Sequence, residues 1–299
     1  MATSPLNFRT PSLSDADSVR GCTQNTLQSD LSFVNIYLLC RKYGTEILFH
    51  MEHLIRRFTG DGRLRGYTFP VGGKDEDIIP CLRAIEADAR YRGIPLQYCL
   101  LTEKQAAFLR DLYGEKIVLK QDDGDSDYIY RREDLATLPG TQYHKKRTHI
   151  NAFLRKNNDI KFAELTPDNR ADALAVAEEW MKMQEDSPAL HHEFRAIENA
   201  LLHREQLKIE GGIVYSGGKA VAMALYSQIN SDVTDIHYEK CISAYRDAYA
   251  FINREIAAAT HTQWLNREED LNIEGLRKAK LSYHPALILK KYSATVYVD

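Results

Sequence analysis

Three ionisable side chains alternate along one otherwise apolar stretch: Asp235, His237 and Glu239 in "VTDIHYEKC". If that stretch is a strand, alternate residues share a face, and Ile236 and Tyr238 take the other. Three such groups on a core strand are costly to bury unpaired. They suit the wall of a cleft in which His237 or Glu239 carries a proton to or from a reacting group. An edge strand with one solvated face would show the same pattern. A second candidate lies near the C-terminus. There "GLRKAKLSYHP" gathers Arg277, Lys278 and Lys280 with no acid among them, followed by Tyr283, His284 and a proline. A third is "HKKRTHINAFLRK", where His144, Lys145, Lys146, Arg147, Arg155 and Lys156 crowd one segment and Ile150, Phe153 and Leu154 mark its inner face. A cationic run of this kind is either a solvated helix face or the dock for an anionic partner, a tRNA backbone or a phospholipid headgroup.

Other chemistries lack their residues. The chain has no G-x-x-x-x-G-K-[ST], no H-E-x-x-H and no G-x-S-x-G. His191, His192 and Glu193 are adjacent in sequence, which suits a helix N-terminus better than a metal. In "DDGDSD", Asp123, Asp125 and Asp127 alternate, but Tyr128 stands where a calcium loop needs its glycine, so the segment reads as a hairpin turn. No metal or cofactor is expected. The five cysteines are scattered, odd in number and form no C-x-x-C, which fits free thiols in a reducing cytoplasm.

Elements that would position these groups follow from periodicity and punctuation. "DEDIIPCLRAIEADARYRG" is a helix, with acids in its first turn and Gly93 at its end. "EKQAAFLRDLYG", "DNRADALAVAEEWMKMQ" and "AYRDAYAFINREIAAATH" are further helices, and the last carries Asn253, Arg254 and Glu255. "KIEGGIVYSGGKAVAMALYSQI" is a hairpin turning at Ser216, Gly217 and Gly218. "KIVLKQDDGDSDYIYRR" is read as two strands around its acidic turn, and "TQWLNREED" as strand-like. Pro139-Gly140 marks a boundary, giving domains 1–138 and 139–299. The chain has 299 residues and a formal net charge of −3, which argues against a protein that coats nucleic acid. Its most apolar run, "FVNIYLLC", is too short to span a bilayer, and the first residues lack the charged and apolar regions of a secretion signal.

"GLRKAKLSYHP" resembles the C-terminal signature of bacterial phosphatidylglycerol lysyltransferases, and more distantly that of the Fem-type peptidyltransferases that extend cell-wall bridges. Together with "YHKKRTHINAFL", "DIHYEKC" and "NREEDLNIEGLRKAKLSYHP", it also resembles a family of uncharacterised bacterial proteins related to the cytosolic domain of the lysyltransferases. The resemblance implies an α+β fold of two tandem GNAT-like domains, each a mixed, mostly antiparallel sheet flanked by helices. It implies aminoacyl-tRNA as donor, with no CoA. On it, Lys280 takes the place of a lysine that offsets negative charge near the reacting ester. Gly275, Leu276, Tyr283 and Pro285 match structural positions, Arg277 and Lys278 match the lysyltransferases, and Ala279 replaces the usual aromatic. No stretch matches the membrane-embedded segment of those enzymes, so the resemblance implies no lipid acceptor.

The expected activity is therefore aminoacyl transfer to an amine or hydroxyl acceptor. Lys280, His237 and Glu239 would be catalytic, and Lys145, Lys146, Arg147, Asn253, Arg277, Lys278 and Tyr283 would bind substrate. In a GNAT fold the junction before the helix of Asn253 cradles a CoA pyrophosphate, usually with glycines. Here "CISAYRDAYAF" has none, and side chains crowd the approach of an anion to the backbone amides. A conventional acyl-CoA N-acyltransferase and a non-enzymatic binder of RNA or anionic lipid remain the alternatives.

Overall fold

A computed structural model describes residues 5–60, 62 and 64–297. The chain divides into two compact units. The first is Met1–Asp127 with Glu269–Glu274 and Ile288–Asp299, and the second is Tyr128–Glu268 with Gly275–Leu287. In chain order the strands are β1 (Thr45–His50), β2 (His53–Phe58), β3 (Gly66–Tyr67), β4 (Val71–Gly72), β5 (Leu96–Leu101), β6 (Ile117–Arg131), β7 (Ile160–Glu164), β8 (Glu210–Ser216), β9 (Lys219–Gln228), β10 (Val233–Cys241), β11 (Trp264–Asn266) and β12 (Leu287–Val296). No helix among the described residues is long and apolar enough to cross a membrane.

In the first unit β2 pairs antiparallel with β1, β3 and β4, while β5 lies parallel to β3 and antiparallel to β12. The helix Ile78–Arg92 ends as its sequence requires, at Gly93 with φ +64°, a left-handed position that costs glycine nothing. Its Cys81, Leu82, Ile85 and Ala89 join Ile55, Tyr67, Leu96, Tyr98, Ala294 and Val296 in one core. Ala294 and Val296 come from β12, the last strand of the chain. A cut into 1–138 and 139–299 is therefore corrected: the first unit is completed by two segments from beyond residue 268.

"DDGDSD" is not a hairpin turn. Ile117–Arg131 is one continuous strand, and its aspartates are spent on tertiary partners. Asp127 accepts from Ser29 Oγ at 2.7 Å and pairs with Lys291 at 3.3 Å. A side chain at Gly124 would sit 2.3 Å from Asn272 Nδ2, so this glycine serves close packing rather than a turn.

In the second unit β7, β8, β9 and β10 form an antiparallel meander. β11 runs parallel to β10 and antiparallel to Ile129–Arg131 of β6. Hydrophobic alternation on both sheet faces demands cover on both. The helix Arg170–Met181 packs against β9 and β10 through buried Ala173, Val176 and Ala177. The helix Ala248–Ala259 packs against β8, β9 and β10 and against the basic helix His144–Lys156, with Phe251 and Phe153 in ring contact at 5.5 Å. On that basic helix Ile150 and Phe153 are buried as expected, but Leu154 is 41% exposed. The architecture is α+β, mixed sheets flanked by helices.

Candidate active site

Strand β10 carries an irregularity that decides where its charged groups go. Asp235 pairs with Ser227 and Ile236 with Tyr226, but Tyr238 pairs with Leu225 and Glu239 with Ala224. One extra residue, His237, is accommodated as a β-bulge. Cross-strand partners share a face, and Ser227 and Ala224, three apart on β9, lie on opposite faces. Asp235 and Glu239 therefore point to opposite sides of the sheet. The expected common face of Asp235, His237 and Glu239 is corrected: the bulge separates Glu239 from the other two.

Glu239 faces the helix Ala248–Ala259. Both its oxygens accept hydrogen bonds: Oε1 from Asn253 Nδ2 at 3.1 Å, and Oε2 from Arg267 Nη2 at 2.5 Å and Nε at 3.1 Å. A carboxylate gripped this way by a guanidinium orients it and is poorly placed to carry protons. Two polar atoms of the same cluster, Arg267 Nη1 and Asn253 Oδ1, are buried without a hydrogen-bond partner in the protein. A buried donor and a buried acceptor left open cost free energy unless a ligand completes them.

Above this cluster lies Tyr283, whose ring is approached by Arg267 at 4.8 Å and by the Lys146 ammonium at 3.6 Å. Burial pushes the Tyr283 phenol up to about 12, so it stays protonated near neutrality. Lys146 is not on the open face of its helix. It is half-buried, and its Nζ donates to Ser282 Oγ at 2.6 Å. Burial, followed by the charge of Arg267, holds its ammonium down to about 8, with Glu239 opposing.

Lys280 is nine-tenths buried, and its ammonium donates to the main-chain carbonyls of Arg267 and, at 3.1 Å, Glu268. Its own carbonyl accepts from Tyr130 Oη at 2.9 Å. Glu268 adopts φ +57°, a left-handed conformation unfavourable for a residue with a side chain. Lys280 clamps this strained turn and so fixes where Arg267 emerges. Its ammonium thus holds the backbone around Arg267 and Glu268.

On the opposite face of β10, His237 is buried among Ser227, Asp235 and Glu268. Its Nε2 lies 2.8 Å from Ser227 Oγ, and its Nδ1 lies 3.2 Å from Glu268 Oε1 and 3.4 Å from Asp235 Oδ2. His237, Asp235 and Glu268 are the His and carboxylate group among the described residues that could hold a metal ion.

The remaining expected residues are spread out. Arg147 donates from Nη1 to the carbonyls of Leu138 and, at 2.7 Å, Gly140, tying down the Pro-Gly turn rather than facing a phosphate. Lys145 and Lys278 are exposed, and Arg277 is half-buried. At the start of the helix Ala248–Ala259, where a CoA pyrophosphate would be cradled, stands Asp247, bonded to His149 Nδ1 at 2.9 Å and paired with Lys156 at 3.5 Å. Arg267 escaped the reading of the sequence, in which "TQWLNREED" was only strand-like. Its signal is positional: a lone arginine among acids, directly after the strand that runs parallel to β10, at the carboxyl end where sheet ligands gather.

The comparisons with known proteins bear on the family and the fold. The family model described as "Phosphatidylglycerol lysyltransferase, C-terminal" matches residues 24–295. A crystal structure of a conserved protein of unknown function from Bacteroides thetaiotaomicron superposes with TM-score 0.91 at 34% identity, covering 98% of this chain and 100% of the other. The C-terminal domain of a candidate lysylphosphatidylglycerol synthetase from Agrobacterium fabrum superposes with TM-score 0.67 at 14% identity, covering 96% of this chain and 93% of the other, a likeness of fold. An uncharacterised protein of Mycoplasmoides gallisepticum is 26% identical over 212 residues, 66% of this chain and 67% of its own length. The gripped arginine, the clamping lysine and the signature around it thus stand in a chain that belongs to the family of phosphatidylglycerol lysyltransferase C-terminal domains.

Proposed function

We propose that this protein transfers an aminoacyl group from an aminoacyl-tRNA ester to an amine or hydroxyl acceptor, and that the cluster of Glu239, Arg267 and Asn253 beneath Lys146 and Tyr283 is where the reaction takes place. The observation that carries the reading is the open pair in that cluster, Arg267 Nη1 and Asn253 Oδ1. A bound ester and acceptor supply what is missing: a carbonyl oxygen to accept from Arg267, and an N–H or O–H to donate to Asn253. As the acceptor attacks the ester carbon, the carbonyl electron pair moves onto oxygen, and Arg267 Nη1–H stabilises the charge that develops there. Lys146, in its neutral form, takes the acceptor's proton and returns it to the ribose oxygen as that bond breaks. Glu239 and Lys280 act through Arg267, the first by fixing its guanidinium and the second by fixing its backbone. His237 touches neither reactant.

The basic helix supports the same reading, since exposed Lys145, Arg155 and Lys156 offer phosphate contacts along one segment. Exposed Lys278 adds a further cation for the same polyanion. Asp247 and the absence of glycine at the start of the helix Ala248–Ala259 weigh against a CoA pyrophosphate there. The acyl-transfer fold is part of the proposal, with each compact unit taken as a GNAT-like domain.

Ligand-dependent stabilisation tests the donor. A charged tRNA at 100 times its Kd should stabilise the protein by about 2.7 kcal/mol, with acetyl-CoA giving no shift at any accessible concentration. Stabilisation by acetyl-CoA with none by tRNA charged with any amino acid would overturn the proposal.

A further inference from the structure

We infer that Asp235, His237 and Glu268 form a binding site for a divalent transition-metal cation, with Zn2+ the best suited, joining β10 to the turn after β11. The three side chains offer one nitrogen and two oxygens, all within 4.8 Å of one another. Zinc bonds to such ligands at about 2.0–2.2 Å, which sets tetrahedral ligand–ligand edges of about 3.3–3.6 Å. The edges from His237 Nδ1 are 3.4 Å to Asp235 Oδ2 and 3.2 Å to Glu268 Oε1, close to that range before any ion draws them in. The donor set is also chemically apt, since imidazole and carboxylate together suit borderline divalent ions rather than calcium or magnesium.

A second feature points the same way. The other ring nitrogen of His237 lies 2.8 Å from Ser227 Oγ, in the buried interior of the sheet face. When that hydroxyl accepts from Nε2–H, the Nδ1 lone pair turns towards the two carboxylates. A histidine that ligates through one nitrogen while the other is fixed by a hydrogen bond is the arrangement that metal sites use to set tautomer and ring orientation. The bulge at His237 makes this geometry possible, because it keeps His237 with Asp235 and Ser227 while sending Glu239 to the other face. The side chains of His237 and Asp235 are 1% and 0% exposed, and Glu268 at 21% forms the accessible side, where a fourth ligand or water completes the sphere. An ion here holds Glu268 in its left-handed conformation and thereby braces its neighbour Arg267. The inference rests on this geometry alone, so it survives or fails independently of aminoacyl transfer.

Zinc alone is the probe. The full chain is loaded with Zn2+, dialysed against metal-free buffer and assayed for bound metal, and Co2+ is then substituted to read coordination from its visible spectrum. The expected result is one ion per chain, with a tetrahedral cobalt spectrum. Glu268→Gln and Asp235→Asn should each lower affinity at least tenfold, and Ser227→Ala should lower it by about 10–100-fold. His191→Gln, at the exposed pair with Asp186, should leave affinity unchanged. Circular dichroism confirms that each variant is folded. Because Glu268 is partly exposed, its variant keeps the test informative even if Asp235→Asn unfolds. Absence of retained metal would overturn the inference. So would retention that is unaffected by Glu268→Gln and Ser227→Ala, or lost equally in His191→Gln. A metal-free hydrogen-bond relay from Ser227 through His237 to Glu268 is what the first of these results would mean.

Discussion

Lys146 shows how far a side chain's role departs from its charge. In the sequence it is one of six cations in a run. In the structure it sits on the Tyr283 ring beside Arg267, and burial with that neighbouring charge holds its ammonium down to about 8. If its neutral form is the base, as proposed, activity should rise as pH climbs through about 8 and level off above it. Lys146→Arg, which stays charged throughout, should abolish this limb and lower the rate by about 10²–10⁴-fold, the range for losing a general base. A pH–rate profile checks both, and a Lys146→Arg variant with a normal alkaline limb would assign the limb to another group. At this scale the residue types of the proposed site were legible, since Glu239, Lys146, Tyr283 and Asn253 were all singled out and all lie in the Arg267 cluster or beside it. Their geometry was not. One extra residue in β10 reverses the alternation, and nothing in "VTDIHYEKC" announces a bulge.

At the scale of elements, periodicity and glycine caps marked the helices Ile78–Arg92 and Glu103–Tyr113 and the Gly217-Gly218 hairpin, because those signals act within a few residues, but not the helix Glu274–Leu281 that carries Lys280. "DDGDSD" misled for the opposite reason. Its residues favour turns locally, and partners distant in the chain override them. Lys291 is the chief of these, buried on β12 between Asp127 and Asp30, with Arg56 also bonded to Asp30. Burial works against ionisation of Asp30, but Lys291 and Arg56 outweigh it and leave its carboxyl below the ordinary range. Asp127 lies above that range because burial prevails there. Lys291→Ala removes the shared counter-charge and should cost about 3–5 kcal/mol of stability, measured by urea unfolding. A loss under about 1 kcal/mol, the ordinary worth of an exposed pair, would show the cluster to be solvated.

For the whole molecule, the break at Pro139-Gly140 suggested two consecutive domains, and the chain instead returns twice to its first unit. The reason is energetic: Ala294 and Val296 of β12 fill a core otherwise built from residues before 117. A fragment of residues 1–138 should therefore lack a cooperative thermal transition, while the full chain shows one. A sharp transition in the fragment would mean that β12 is dispensable to that core. The broad class, α+β, was implied by the resemblance, whereas the return of the last strand depends on contacts that no local pattern encodes.

The claim that Arg267 stabilises the developing oxyanion is tested most directly by a single-turnover transfer measurement on Arg267→Lys. Lysine keeps the positive charge but loses the planar fork that binds Glu239 while presenting Nη1. With a charged tRNA and a saturating amine acceptor, the rate of ester consumption should fall by about 10²–10³-fold, as for loss of one oxyanion donor, with the melting temperature within a few degrees of the parent. An unchanged rate in a folded Arg267→Lys protein would contradict the assignment of the reaction to this cluster.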